Sequence, residues 1–284
     1  MSFLFGGQSS KARQEQNRKD NLVTQFCQVT GAGQADAVKY LKKHNYRLEA
    51  ALDGLYNDPA ALAALTGNTN KDAQSSAKKL GDIFDKYKDD EDGDSITVEG
   101  TMNFCGDVGL DLEDAVILAV SHELQSKSMG EFTRTGWVDG WKNLKCDSLE
   151  SMRKVLPSLR SRLSSEPAYF KIIYTYAFDF AKALGQRSIP VENAKAFWAM
   201  LLPIGLEGDA LRREDGWKSD HNGWWFEFLD AKGGKGISKD VWNMFYEFIR
   251  SIDSRFENYD EDAAWPSIID DFVVYSRDRL KSSQ

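Results

Sequence analysis

Apolar side chains recur every three to four residues through most of this chain, which is the spacing of one buried face of an α-helix. Alternating apolar and polar residues, the pattern of a half-buried strand, occur only in short pieces. We therefore predict an all-α protein. In the second part of the chain, the amphipathic segments lie near residues 78–87, 98–108, 112–125, 134–141, 148–161, 167–184, 190–201, 223–229, 238–252 and 266–280.

Changes of composition along the chain divide it into two domains. Residues 14–58 hold three short amphipathic segments, which predict a small three-helix bundle. Residues 59–76 are rich in Ala, Gly, Asn and Ser and predict a linker. Residues 77–280 then form the larger domain, in which we expect helix pairs that resemble EF hands.

Two polar segments are expected to contribute little to either core. Residues 1–12 are polar and rich in Gly and Ser, so we expect them to be disordered. Residues 202–222 combine glycines with many charged side chains, a composition typical of a surface insertion.

Acidic side chains are concentrated near the C-terminal end. Between residues 253 and 278 the chain carries eight Asp or Glu against two Arg. Pro266 suits the first position of a helix, where its missing N–H costs nothing. Asp270 and Asp271 follow in that helix and have no Lys or Arg three or four residues away, so the usual intrahelical ion pairs are absent. This charge favours encounter with a basic protein surface.

Charge and composition exclude several classes of function. The net charge of -8 and the pI of about 5.1 argue against binding to the phosphates of nucleic acids. No run approaches the roughly 18 apolar residues that span a membrane, and residues 1–7 lack the basic segment of a secretory signal. Cys27, Cys105 and Cys146 are widely separated, which predicts reduced thiols in a cytoplasmic or nuclear protein.

Two loops are candidates for calcium sites. An EF-hand loop needs oxygen ligands at positions 1, 3 and 5, Gly at position 6 and Glu at position 12. No single register of residues 85–100 satisfies these positions, and residues 230–241 place Lys232 and Gly234 where ligands belong. We interpret both as EF-hand-shaped turns without a metal, and we expect no cofactor. The sequence also shows no zinc-ligand spacing, P-loop or GxSxG motif.

The end of the chain resembles a known family. Residues 260–272, with residues 238–243 (SKDVWN) upstream, are similar to the C-terminal signature of the defective-in-cullin-neddylation family in its fungal form. The resemblance implies a ubiquitin-associated-like domain at residues 14–58 and a potentiating-neddylation domain at residues 77–280. It also implies that the basic winged-helix tail of cullins is bound by Asp240, Ala264 and Asp270.

The same resemblance implies two further binding surfaces. In the family, an apolar pocket receives the acetylated N-terminal methionine of the neddylation conjugating enzyme. A free ammonium group would cost far more to bury there than an acetyl amide. The matching positions here are Ile96, Val98, Ile117, Val120, Leu124 and Met200. In the ubiquitin-associated-like segment, weak ubiquitin binding is expected through Val29, Thr30, Gly31, Leu55 and Tyr56.

These features lead to one hypothesis and two alternatives. The resemblance implies a scaffold-type co-ligase that holds a cullin tail and an acetylated conjugating enzyme, with ubiquitin and the ring-type ligase subunit as further candidate partners. The modifier would pass to a cullin lysine without a covalent intermediate on this chain, so we do not expect the chain to be an enzyme. The alternatives are a calcium-binding EF-hand protein and a ubiquitin-binding adaptor without a ligase role.

Overall fold

The computed structural model describes residues 7–58, 74–89, 94–234 and 236–282, with side chains from residue 13 onward. The chain divides into two compact units, Met1–Lys78 and Lys79–Gln284, each of which has its own buried core. Most of the predicted linker lies outside the described residues. Among the described residues, no helix is long and apolar enough to cross a bilayer.

Residues 7–58 of the first unit form a bundle of three helices: α1 (Gly7–Thr30), α2 (Gln34–Lys43) and α3 (Leu48–Tyr56). The expectation that residues 1–12 are disordered is wrong for residues 7–12, which form the start of α1. The residues from 11 to 19 include Lys, Ala, Arg, Gln and Glu, which favour helices. Glu15 and Lys19 add an ion pair at helical spacing. The core is formed by Val23, Phe26, Ala32, Ala37, Leu41, Ala51 and Leu55.

The second unit is also built from helices, in agreement with the predicted all-α class. Four two-residue strands interrupt them: β1 (Ser95–Ile96), β2 (Phe132–Thr133), β3 (Ser188–Ile189) and β4 (Ile237–Ser238). The helices are α4 (residues 74–87), α5 (Val98–Val108), α6 (Val116–Glu123), α7 (Arg134–Asn143), α8 (Leu149–Ser165), α9 (Pro167–Ala181), α10 (Val191–Glu207), α11 (Ser219–Lys232), α12 (Lys239–Ser251) and α13 (Ser267–Ser282).

Each short strand ends one or two residues before a helix begins. Strand β1 pairs antiparallel with β2, with Ser95 opposite Thr133, and β3 pairs with β4, with Ser188 opposite Ser238. The two pairs therefore hold the starts of α5 and α7 side by side, and likewise the starts of α10 and α12. The likeness of these helix–strand–helix pairs to EF hands stays an interpretation.

An arginine side chain pairs with two acids of the first candidate calcium loop. The Arg134 guanidinium donates to Asp85 at 2.7 Å and to Asp94 at 2.5 Å. It also lies over the Phe84 ring, 4.4 Å from its centroid. Residues 90–93 of this loop lie outside the described residues. Elsewhere in the described chain, no group of three or more His, Cys, Asp or Glu is placed to hold a metal ion.

Aromatic rings fill the centre of the second unit. The indoles of Trp198 and Trp242 stack at 4.8 Å, and Tyr174 lies 4.7 Å from Trp242. The Tyr174 hydroxyl accepts from the Trp198 indole N–H at 2.8 Å and donates to the Trp242 carbonyl at 2.9 Å. These contacts tie α9, α10 and α12 together, so the surfaces that these helices carry have a rigid support.

The predicted surface insertion at residues 202–222 is wrong. Leu202, Leu211 and Trp217 are buried in the main core, and the Trp217 ring packs against Phe245 at 5.6 Å. The charged residues between these apolar side chains point outward and give the segment the composition of a loop. For this reason the sequence predicted a surface insertion. Arg213, one of those charged residues, donates to the carbonyl groups of residues 250 and 251 at the end of α12.

Candidate functional site

An open cavity of about 530 Å³ lies between α5, α6, α9 and α10. We call it the apolar groove. Large apolar side chains on its rim are solvent-exposed, which is unusual for residues of this kind on a helical surface. The groove is lined by Val98, Thr101, Met102, Leu112, Ile117, Leu118, Ser121, Met129, Gly130, Phe132, Phe180, Asn193, Ala196, Phe197 and Met200.

Three of the six predicted pocket residues line this groove: Val98, Ile117 and Met200. The other three do not, because Ile96, Val120 and Leu124 are fully buried in the core. Leu124 faces α7, where a Cβ on Gly140 would lie 2.7 Å from its Cδ2 atom. The prediction that these three positions contact a ligand is therefore corrected.

Sequence reasoning missed other side chains that form the groove, chiefly Met102, Met129 and Phe180. Met102 had a signal in the sequence, because it follows Val98 by four residues and therefore lies on the same face of α5. Met129 and Phe180 had no such signal in the sequence, because a loop and the distant helix α9 bring them to the groove. Their placement depends on tertiary structure alone.

A glycine lets the loop that carries Met129 approach α5. Gly130 has φ +75°, a conformation that side chains with a Cβ rarely adopt, and a Cβ there would lie 3.0 Å from Val98 Cγ2. The buried Thr101 hydroxyl donates to the Gly130 carbonyl at 3.0 Å. The loop is therefore fixed against the helix, and Met129 is presented at the rim.

The three residues predicted to bind cullin lie on α12 and on the segment that enters α13. Asp240 is exposed in the first turn of α12, where the Ser238 hydroxyl caps the helix by accepting from the Val241 N–H. Ala264 is exposed just before α13, and Asp270 is half-buried in its first turn. We call Asp240, Ala264 and Asp270 the acidic patch.

Aromatic contacts hold the acidic patch in shape. The Tyr259 phenol donates to Asp270 Oδ1 at 2.5 Å, and the Tyr259 ring stacks on Trp265 at 6.1 Å. Both rings pack against Phe248 of α12, each at 5.9 Å. Burial and the adjacent Asp270 carboxylate raise the pKa of Tyr259, so the phenol stays protonated and donates throughout the physiological range.

Ion pairs neutralise much of the acidic run around the patch. Asp271 pairs with Lys232 at the end of α11, and Glu261 pairs with Arg277 at 2.8 Å. By contrast, Asp240 forms no ion pair among the described residues, and Asp270 has only the phenol. Tertiary pairing thus leaves the charges of the patch available to a partner.

The predicted ubiquitin contacts are divided between surface and core. Val29 and Tyr56 are exposed, and Gly31 ends α1 with φ +69°. Thr30 is half-buried, with its hydroxyl donating to the Phe26 carbonyl at 2.7 Å. Leu55 is fully buried in the core of the bundle, so its predicted contact with ubiquitin is corrected. Ubiquitin binding through the exposed residues stays a prediction.

Two family descriptions match this chain. The description Cullin binding matches residues 151–275, which include the whole acidic patch. The description UBA-like domain matches residues 20–61, which include the three-helix bundle from within α1 onward.

Known proteins resemble the chain over nearly its whole length. It is 33% identical to Defective in cullin neddylation protein 1 of Mycosarcoma maydis, over 94% of this chain and 97% of that protein. It is 37% identical to the protein of the same name from Cryptococcus neoformans var. neoformans, over 93% of this chain and 96% of that protein. The chain belongs to the defective-in-cullin-neddylation family. Among animal members, human DCN1-like protein 4 is 34% identical over 73% of this chain and 65% of its own length.

Proposed function

We propose that this chain is a non-catalytic scaffold in cullin neddylation. It holds the winged-helix tail of a cullin at the acidic patch and the acetylated N-terminus of the neddylation conjugating enzyme in the apolar groove. The ring-type ligase subunit and ubiquitin are further partners in this proposal. Family membership supports the cullin part. The observation that carries the whole proposal is that one helical unit presents both an acidic patch without ion pairs to any described residue and an exposed apolar groove.

The acidic patch suits a basic protein surface. Asp240 and Asp270 offer carboxylate oxygens to Lys or Arg, and the phenol of Tyr259 occupies only one oxygen of Asp270. Ala264 is exposed and small, so a partner can approach closely there. A larger side chain at this position would obstruct that approach.

The apolar groove suits an uncharged, apolar chain end. Its rim is formed by Val98, Met102, Leu112 and Met129, and no Lys, Arg, Asp or Glu of the described chain lines it. A terminal ammonium group would lose its hydration there without gaining a charged partner. Acetylation removes that charge while keeping an amide that can form hydrogen bonds. The groove therefore favours an acetylated N-terminus that begins with an apolar residue.

The thiols of this chain are poor candidates for a covalent carrier. Burial raises the pKa of Cys105 to about 11, and it also raises the pKa of Cys27 and Cys146. Thioester exchange requires the thiolate form, which is scarce at neutral pH when the pKa is raised. The rate gain in this proposal comes from positioning, since holding both reactants on one rigid body makes their encounter nearly intramolecular.

A binding titration with a cullin winged-helix C-terminal domain tests the acidic patch. The change Asp270→Arg places like charges against a basic tail, and we expect affinity to fall by at least about tenfold. The matched control is Glu150→Arg, which reverses an exposed charge at the start of α8 and should leave affinity unchanged. Equal binding by the wild type and Asp270→Arg would move the cullin site elsewhere.

The apolar groove is tested with an acetylated peptide from the N-terminus of the conjugating enzyme. Val98→Asp adds a charge inside the groove, and its control Val274→Asp changes a valine of equal exposure, 59%, on α13. We expect the first change to abolish peptide binding and the second to leave it intact. In a reconstituted neddylation assay, Asp270→Arg and Val98→Asp should each slow modification of the cullin. Peptide binding that survives Val98→Asp would exclude the groove from this role.

A further inference from the structure

Methionine side chains are concentrated at the apolar groove. The chain contains six methionines, and Met102, Met129 and Met200 line the groove. Met102 and Met129 are 55% and 58% exposed, whereas Met152 is fully buried and Met244 is packed against the core. The two thioethers most open to solvent in the described chain therefore stand at the rim of one binding surface.

A peroxide can oxidise such a thioether directly. A sulfur lone pair attacks one oxygen of hydrogen peroxide and the O–O bond breaks. The proton of the attacked oxygen passes to the leaving hydroxide, so the products are a sulfoxide and one water. The sulfur is oxidised and the peroxide is reduced, so no further reactant is needed. The cysteines compete weakly for the oxidant, because burial raises the pKa of Cys27, Cys105 and Cys146 and thiolate is the reactive form.

A sulfoxide at the rim would change the chemistry of the apolar groove. Its oxygen is a strong hydrogen-bond acceptor, and it is hydrated while the groove is empty. A bound apolar segment would cover that oxygen, and the nearby Thr101 hydroxyl already donates to the Gly130 carbonyl. The acceptor would then exchange its water for a largely apolar surface, at a free-energy cost that opposes binding.

We propose that Met102 and Met129 are modification sites at which a peroxide weakens binding of an apolar chain end in the groove. Methionine sulfoxide reductase, with a dithiol that is oxidised to a disulfide as the sulfoxide oxygen leaves as water, restores the thioethers and the binding. This proposal rests on the proposed function of the groove. It assigns the groove a reversible, redox-dependent affinity. Because the oxidised side chains are exposed, their modification does not require the fold to open.

The test treats the full-length protein alone with hydrogen peroxide and removes the oxidant before any peptide is added. The probe is the acetylated conjugating-enzyme peptide with norleucine in place of its first methionine, so that the probe itself lacks an oxidisable sulfur at that position. Mass spectrometry of proteolytic fragments should find sulfoxide at Met102 and Met129 before Met152. We expect the peptide affinity of the oxidised protein to fall by about tenfold or more, and reductase treatment to restore it.

A sulfur-free variant provides the matched control. The double change Met102→Leu with Met129→Leu keeps an apolar rim of similar volume without sulfur, so the peptide affinity of this variant should be the same before and after peroxide treatment. The double change to Gln should bind weakly without any oxidant. Sulfoxides at both positions with unchanged affinity would overturn the inference, as would an equal loss in the Leu variant. If the untreated wild type fails to bind the peptide, the proposed function of the groove fails instead.

Discussion

At the scale of single residues, the acidic patch depends on a side chain outside it. The Tyr259 phenol donates to one oxygen of Asp270, which orients the carboxylate and leaves its second oxygen for a partner. The same ring stacks on Trp265, the neighbour of Ala264, and packs against Phe248 of α12. Tyr259 therefore links all the elements that carry the patch.

Removing that hydroxyl tests its role. In Tyr259→Phe the ring contacts remain but the Asp270 carboxylate becomes free to rotate, so we expect cullin affinity to fall by about threefold to tenfold. When Asp270 is replaced by Ala, the further change Tyr259→Phe should have no effect on cullin affinity. The control Tyr275→Phe loses a phenol that faces the Glu227 carboxylate at 3.4 Å, and it should bind normally. Tighter binding by Tyr259→Phe would mean that the phenol competes with the partner.

At the scale of elements, glycines set how closely the helices of the second unit approach one another. A Cβ on Gly100 in α5 would lie 1.9 Å from the carbonyl oxygen of Tyr87 at the end of α4. The bulkier α5 residue Val98, by contrast, faces the open groove, and Gly106 of the same helix faces open space. The face of α5 behind the groove is thus fixed by a contact that only glycine allows.

We expect Gly100→Ala to destabilise the second unit by about 2–4 kcal/mol, because the added methyl must push α4 and α5 apart. Gly106→Ala on the same helix meets nothing and should stabilise by about 0.5–1 kcal/mol through helix propensity. Chemical denaturation followed by Trp fluorescence measures both, since all eight tryptophans lie after residue 78 and report on this unit alone. Equal stability of the two variants would refute the close helix contact.

At the scale of the whole second unit, a buried histidine makes stability depend on pH. His221 lies among the rings of Trp217, Trp224 and Phe256, and its Nδ1 accepts from the Lys218 N–H at 3.1 Å. Burial lowers the pKa of His221 to about 4. The neutral imidazole is therefore part of the folded core.

Between pH 6.5 and about 4 the unfolded chain binds a proton at this position and the folded chain does not. The contribution of His221 to the free energy of unfolding is therefore fully present above pH 6.5. It should fall by up to about 3 kcal/mol as the pH approaches 4. The measurement is the free energy of unfolding at pH 7 and pH 4.5. His221→Asn keeps an acceptor but cannot titrate, so its stability should change less over this interval. An identical pH dependence in the variant would show that other groups cause it.

The sequence by itself determined the helical class and the family, and it supplied the prediction of the three patch residues. Helical spacing is local, so it needs no knowledge of the fold, and the resemblance matched Asp240, Ala264 and Asp270 directly. The sequence also showed that Asp270 lacks an ion pair within its own helix. These are properties of residues close together in the chain.

Only the tertiary structure decided which apolar residues face a groove and which face the core. Ile96, Val120 and Leu124 are apolar and spaced like groove residues, yet they are fully buried. Met129 and Phe180 reach the groove from a loop and a distant helix. The same holds for residues 202–222, whose Trp217 enters the core from a charged segment. An apolar side chain favours any dry surface, and which surface it meets is set by contacts between residues far apart in the chain.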